Sequence, residues 1–312
     1  MEYIAPHIRQ LDTLLAGKSH ISASFLIEGD EPALVEAGAQ SSARTVIDAL
    51  QAIGIGPEDL RWVIVTHVHL DHAGAAGDLL AAFPKAKVVV HEVGARHLVD
   101  PTRLVDSASR VYGPLLDTVY GRMTPSDRDR VVPAADGMEI AVGPGHKVRI
   151  IHSPGHAKHH LAVLDLPTGT LLVGDAVGVL IPEVGILRPA TPPPDFNLEQ
   201  SIRSLGIFRS LNPTDVVLTH YGPVPDPMET LLAAEGLLVQ WVDVAKMELQ
   251  QNPDATVQEL AHVFEVAFRD VYKEIAPEDL SMFELLNGLE SNAAGISRYL
   301  TLQQDAHVGG GR

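Results

Sequence analysis

Thr66-His67-Val68-His69-Leu70-Asp71-His72 is the stretch on which the reading of this chain turns. One residue separates His67 from His69, so in an extended segment both imidazoles leave on the same side. Asp71 and His72 fall where the chain turns into the next helix. Four ligand-type side chains within six residues mix imidazole with carboxylate, a set that suits zinc, with iron and manganese as substitutes. The run just before them, Trp62-Val63-Ile64-Val65, is uninterruptedly apolar and predicts a short strand buried on both faces.

Three later positions repeat that placement. His156 follows a strand predicted at 148–151, Asp175 one at 170–173, and His220 one at 216–218. Ligands in open α/β sheets gather outside the strand ends, so four strand ends are expected to converge on one place. Around them the pattern is α/β. A hairpin is predicted over 21–36, helices over 45–53, 75–83 and 198–211, and a strand over 87–90. Residues 94–130 read as polar helix with no strand signal, and 181–195, with five prolines, as an irregular loop. From 228 to 301 the pattern is helical, broken near Asn252-Pro253 and Ala276-Pro277, and the tail Gly309-Gly310-Gly311 is expected to be disordered. The expected division is therefore a domain of residues 1–227 and a helical C-terminal extension of residues 228–312 packed on it.

Composition removes several classes of function. The 312 residues carry 23 Lys and Arg against 40 Asp and Glu, a formal charge of −17. The one basic cluster, Arg122 to Arg130, is interrupted by Asp127 and Asp129, so no nucleic-acid or membrane partner is expected. There is no cysteine, which excludes disulfides, thiolate nucleophiles and thiolate metal ligands. Neither a signal peptide nor a long apolar run is visible, so the expected location is cytoplasmic.

Taken in order, His67-x-His69-x-Asp71-His72, Ser153-Pro154-Gly155-His156, Gly174-Asp175 and Thr219-His220 resemble the metallo-β-lactamase fold superfamily over residues 21–222. The resemblance implies an αββα sandwich with metals at one sheet edge. It also implies roles: His67, His69 and His156 hold one metal, Asp71, His72 and His220 hold the second, and Asp175 bridges them. The cofactor so implied is two zinc ions per chain, with iron or manganese as alternatives. Two divalent ions outweigh the two carboxylates and leave a site of about +1 once a hydroxide bridges them. The reaction expected is attack by zinc-bound hydroxide on a small-molecule substrate, with Asp71 also handling the proton.

The absence of cysteine speaks against β-lactamases that use a thiolate ligand. His69 stands where the flavin-linked diiron branch carries a carboxylate. What remains resembles the glyoxalase II-like group, hence a thioester, a lactone or a related ester as substrate; the alternative is a mononuclear iron oxygenase resembling the persulfide dioxygenases. Tyr221, directly after His220, reads as a hydroxyl donor to a developing oxyanion, or as a packing residue beside the site. His159 and His160 read as groups supporting the ligands or lining the pocket, and His91, His97, His146 and His152 as ordinary core or surface histidines. Arg188 reads as a salt-bridge partner or a contact for a substrate carboxylate. The apolar helical positions Leu231, Leu232, Leu237, Leu238, Trp241, Leu260, Phe264, Phe268, Leu285 and Leu286 need a surface to cover. They are expected to pack beside the 181–195 segment, narrowing the way into the pocket or supplying a homodimer contact.

Overall fold

The apolar runs pair into two sheets. In the first, β1 (Glu2–Ala5), β2 (Ile8–Asp12), β3 (Ala23–Ile27) and β4 (Ala33–Val35) are antiparallel, and β5 (Trp62–Ile64), β6 (Lys87–His91) and β7 (Val131–Ala134) continue it in parallel. Parallel neighbours need crossovers. These are α1 (Ala43–Ala52), then α2 (Leu70–Ala73) with α3 (Ala76–Ala82), then α4 (Glu92–Val99), α5 (Thr102–Tyr112) and a π-helical turn, Leu116–Tyr120. The second sheet begins with the antiparallel run β8 (Glu139–Gly143), β9 (His146–His152), β10 (Leu161–Asp165) and β11 (Thr170–Leu172). A separate hairpin, β12 (Val179–Ile181) and β13 (Ile186–Arg188), follows. After α6 (Leu198–Leu211), β14 (Asp215–Leu218) lies parallel to β11, and β15 (Gly222–Pro223) closes the edge. The computed structural model describes residues 2–181 and 185–309.

The chain divides into two compact units, each drawn from separate stretches of sequence. The first comprises Met1–His152, His159–Gly174 and Pro213–Val224; the second comprises Ser153–Lys158, Asp175–Asn212 and Pro225–Arg312. Both large sheets belong to the first. Their facing side chains alternate along each strand, as the two-residue period of a pleated sheet requires. Phe25, Ile27, Val35, Ile64 and Val89 thus meet Val148, Ile150, Leu161, Val163, Leu172 and Val217 in one buried cluster. Leu34, Val63, Val88 and Val90 point the other way and are also buried, with α1 to α3 on that side, so Val63-Ile64-Val65 is covered on both faces.

Four strands carry no usable signal in the sequence. β1 is an exposed edge, and β7 contains Pro133, which is tolerated because β7 closes the opposite edge of its sheet. β2 and β8 are short and mix charged with apolar residues. The 181–195 segment is also less irregular than expected, since Ile186–Arg188 pairs with Val179–Ile181 around Gly185, at φ 65°. Residues 182–184 of that segment, and 310–312 of the expected disordered tail, lie outside the described residues.

In the second unit, α7 (Pro227–Gln251) starts at Asp226, whose side chain accepts from the Glu229 amide, and Pro227 occupies its first turn. α8 (Val257–Ala267) opens with a reciprocal cap between Thr256 and Glu259; α9 (Arg269–Tyr272), α10 (Pro277–Asn287) and α11 (Leu289–Gly309) complete the set. Breaks fall at Asn252-Pro253 and Ala276-Pro277, as the prolines dictate. Trp241 stacks on Phe268 at 4.8 Å and meets Phe264 at 4.7 Å, while Leu232 is the exception among the expected core positions and is exposed. No helix among the described residues is long and apolar enough to cross a membrane.

The helices pack against the 186–192 stretch. The Thr191 amide donates to Asn292 Oδ1 at 2.7 Å, and Arg188 is completely buried. Its guanidinium lies over Phe283 and Tyr272 and donates to Glu284 Oε1 at 2.8 Å, the Asn287 carbonyl at 3.1 Å and the Tyr272 hydroxyl at 3.1 Å. The salt-bridge reading of Arg188 is the one the structure supports. Because Glu284 keeps solvent contact, Arg188→Ala is expected to cost about 3 kcal/mol, the low end for a broken buried pair. Chemical denaturation of the full chain measures it.

Candidate metal centre

The first unit gathers five of the seven expected ligands. His67 leaves the end of β5, and His69, in extended conformation, is the residue on which α2 begins, so Asp71 and His72 occupy its first turn. His220 arrives from the end of β14. His67 Nε2 and His69 Nδ1 are 2.8 Å apart, and the His67 and His72 rings lie 4.0 Å centre to centre. Asp71, His72 and His220 form a second close group. His72 Nε2 and His220 Nε2 are 3.3 Å apart, and Asp71 Oδ2 lies 3.7 Å from the former and 3.4 Å from the latter.

Each ring is oriented by its other nitrogen. His220 Nδ1 donates to the Ile21 carbonyl at 2.6 Å, and His72 Nδ1 donates to Glu36 Oε1 at 2.9 Å. In the neutral tautomer those bonds select, both Nε2 atoms carry lone pairs and face each other beside a carboxylate oxygen. Three such atoms so close make a donor set for a cation. Tetrahedral zinc, with bonds of roughly 2.0–2.1 Å, sets its donor atoms about 3.3 Å apart, so the donor set fits.

Glu36 is the residue bonded to this cluster that the sequence reading missed. It is fully buried, at φ 68°, and collects the Thr66 amide (3.2 Å), the Thr66 hydroxyl (2.6 Å), His72 Nδ1 (2.9 Å) and the Thr219 hydroxyl (3.0 Å). A residue with a side chain rarely holds that backbone conformation, and the four bonds fix it there. With its proton committed to Glu36, the Thr66 hydroxyl accepts from His67 Nδ1 at 3.0 Å, so Glu36 also orients His67. The available signal was an acid directly after an apolar strand, Ala33-Leu34-Val35-Glu36, the same placement as the other candidates.

His159 and His160 sit beside this cluster, their rings 6.3 Å and 5.1 Å from that of His67. Gly174, at φ 51°, is required there: a Cβ would lie 2.6 Å from Thr66 Oγ1 and 2.7 Å from His160 Nε2. Tyr221 packs against the sandwich core, with His20 5.1 Å away between ring centres.

The second unit brings together the other two expected ligands. His156 Nδ1 donates to the Ala190 carbonyl at 3.0 Å, which leaves Nε2 3.6 Å from Asp175 Oδ2. The turn before His156 is pressed against the start of α6. A Cβ on Gly155 would lie 2.5 Å from the Ser201 Cα, the Asn197 amide donates to the Gly155 carbonyl at 2.9 Å, and the Ser204 hydroxyl donates to that of Pro154 at 2.7 Å.

His146, His152 and His91 have structural partners. His146 Nε2 is 2.6 Å from the buried Asp165, and His152 Nε2 donates to the Ala134 carbonyl at 3.0 Å. His91 caps α4 by accepting from the Val93 amide at 3.1 Å, with its ring 4.1 Å from that of His152. Burial, then the neighbouring His152, pushes the His91 pKa below the usual imidazole value. Its neutral form is therefore favoured in the folded chain. That contribution is complete above about pH 6.5 and is lost as the pH falls toward the lower folded-state value. His91→Asn retains a capping acceptor, and its denaturation midpoint is expected to fall less than that of the unmodified chain between pH 7 and pH 5.

The profile of the metallo-beta-lactamase superfamily matches residues 17–220. A metallo-beta-lactamase fold-containing protein of Sulfurisphaera tokodaii is 32% identical over 201 residues, covering 63% of this chain and 71% of its own. The crystal structure of an archaeal metallo-beta-lactamase superfamily protein from Sulfolobus tokodaii superimposes with a TM-score of 0.67 at 26% identity, over 93% of this chain and 97% of that one. A metallo-beta-lactamase family protein from Thermus thermophilus shares the fold at a TM-score of 0.71, with 21% identity and coverage of 97% and 95%. The chain belongs to the metallo-beta-lactamase superfamily, and its clustered histidines and aspartates make it a metal-binding hydrolase of that superfamily.

Proposed function

We propose that the chain hydrolyses a thioester, a lactone or a related ester of a small molecule, as glyoxalase II-like enzymes do, with a dinuclear zinc centre. The ligand assignment is the one the superfamily resemblance implies: His67, His69 and His156 for one ion, Asp71, His72 and His220 for the other, and Asp175 shared. The matched region contains all seven positions. The observation that carries the reading is the closeness of the Nε2 atoms of His72 and His220 to each other and to Asp71, a donor set suited to a divalent cation. A bound pair of divalent ions supplies water acidic enough to act as a nucleophile near neutral pH and polarises the substrate oxygen.

The protein's own contribution is positioning. Glu36, Thr66 and the Ile21 carbonyl hold three imidazoles in one tautomer, so no proton has to move before metal is bound. Asp71, at the first turn of α2 and 15% exposed, is the carboxylate placed to take a proton from the nucleophile and return it to the leaving group. The Tyr221 hydroxyl is assigned to the developing oxyanion.

The test is metal analysis of protein purified without added metal, followed by a panel of thioesters, lactones and simple esters. Two zinc ions per chain and turnover on the panel are expected. One iron per chain, with oxygen consumption on a persulfide and no hydrolysis, overturns the proposal in favour of the oxygenase.

A further inference from the structure

We propose that Asn292, on α11, is a positioning residue for the ligand His156 and acts on it through the single peptide unit that joins Ala190 to Thr191. The C-terminal helices then tune metal affinity although they supply no ligand. The inference rests on the assignment of His156 to a metal ion made above, and it adds a control on that ion.

The two ends of one peptide unit carry the argument. His156 Nδ1 donates to the Ala190 carbonyl at 3.0 Å. A carbonyl oxygen only accepts, so this bond puts the ring proton on Nδ1 and leaves the lone pair on Nε2, the nitrogen free to hold a cation. The N–H of the same peptide unit belongs to Thr191, and it donates to Asn292 Oδ1 at 2.7 Å. Partial double-bond character keeps that C=O and that N–H in one plane. Holding the N–H therefore fixes the direction in which the carbonyl meets the imidazole. An engaged N–H also polarises its carbonyl and strengthens the bond accepted there.

Asn292 is itself held in the orientation this needs. It is completely buried, and its Nδ2 donates to Asn287 Oδ1 at 2.5 Å and to the Gly288 carbonyl at 3.3 Å, so its oxygen is the atom turned to Thr191. Asn287, the last residue of α10, donates through Nδ2 to the Pro189 carbonyl at 2.8 Å, one peptide earlier. On the other side, Gly295 brings the backbone of α11 onto the strip: a Cβ there would lie 1.8 Å from the Thr191 carbonyl oxygen. The carbonyls of Pro189 and Thr191 are thus occupied by the helices, and the one between them is left for His156. All these residues belong to the second unit.

Chelator competition on the zinc-loaded full chain tests the role. Asn292→Ala is expected to weaken the ion assigned to His156 about 10–100-fold and to leave the other ion unchanged. Thr191→Val keeps the amide bond and removes only the hydroxyl bond to the same Oδ1, 2.7 Å long, so it is expected to lose stability with both affinities intact. Unchanged affinity in Asn292→Ala overturns the proposal. So does a loss in Thr191→Val as large as that in Asn292→Ala, because loosened packing then accounts for both. Nitrogen-15 NMR of the metal-free chain supplies a readout that packing alone does not move. His156, assigned by the signal missing in His156→Gln, is expected as the Nδ1–H tautomer, and as a mixture of tautomers in Asn292→Ala. Should Asn292→Ala not fold, the unmodified chain still decides: an Nε2–H tautomer at His156, or a freely exchanging Thr191 amide, overturns the proposal. A chain that binds metal and hydrolyses no ester, yet shows the selective loss in Asn292→Ala, upholds the positioning role and rejects the hydrolase reading. Ester turnover together with unaltered metal binding in Asn292→Ala does the reverse.

Discussion

Asp71→Asn is expected to lower turnover on the preferred ester about 10²–10⁴-fold, the range for loss of a general acid–base group, while the chain stays folded. The carboxylate lies 3.4 Å from His220 Nε2 and 3.7 Å from His72 Nε2, and it is the acidic member of that group. An amide keeps the shape and one weak donor oxygen but removes the charge that balances the cation and accepts the proton. Metal content falls as well, so the loss is to be measured with metal quantified in the same samples. Circular dichroism and the denaturation midpoint are expected to stay within about 0.5 kcal/mol of the unmodified chain, or to rise, since a partly exposed acceptor facing two others is relieved of like-sign repulsion. Unchanged turnover at full metal content contradicts the role given to Asp71.

The second large effect belongs to Glu36. Glu36→Ala strands the Thr66 amide, two hydroxyls and His72 Nδ1 in a fully buried place, and is expected to cost about 3–5 kcal/mol, as when one member of a buried charged network is removed. Glu36→Gln separates folding from orientation. It keeps the volume and one acceptor oxygen, so most of the stability returns, but it no longer draws both the Thr66 hydroxyl and His72 Nδ1 toward the same carboxylate oxygen. Metal affinity is then expected to fall about 10–100-fold, the usual cost of losing a group that orients a ligating histidine. Competition with a chelator reads the affinity, and urea denaturation of metal-free protein reads the stability. Equal metal affinity in Glu36→Gln and the unmodified chain rejects the orienting role.

Much of the site was legible because metal ligands come from a small set of residue types at strand ends. The β5–α2 segment announces itself through spacing alone, and β14 through an apolar run ending in Thr219-His220. The central strands were legible for a related reason: burial on both faces leaves continuous apolar runs such as Val63-Ile64-Val65. Edge strands have one solvated side and one unpaired rim, so β1 and β7 mix charge and proline and cannot be told from loops by pattern. Arg188 illustrates another limit. A charged residue in a proline-rich stretch reads as surface, and only the helices up to 99 positions later reveal it as buried. Glu36 is different: its position after β4 obeyed the same rule as the ligands, and the lack of a second ligand-type residue nearby is what hid it.

The Glu36 junction also sets a schedule for biosynthesis. It ties residue 36 to Thr66 and His72, which leave the ribosome early, and to Thr219, which is made 183 residues after Glu36. At translation rates of roughly 5–20 residues per second, the nascent chain carries His67, His69, Asp71 and His72 for about 7–30 s before His220 exists to join them. During that interval Glu36 lacks one of its donors, and the group of Asp71, His72 and His220 lacks its last nitrogen. In the proposed assignment the first ion's residues, His67, His69, His156 and Asp175, are all made by residue 175, and the group of Asp71, His72 and His220 is the last to be completed.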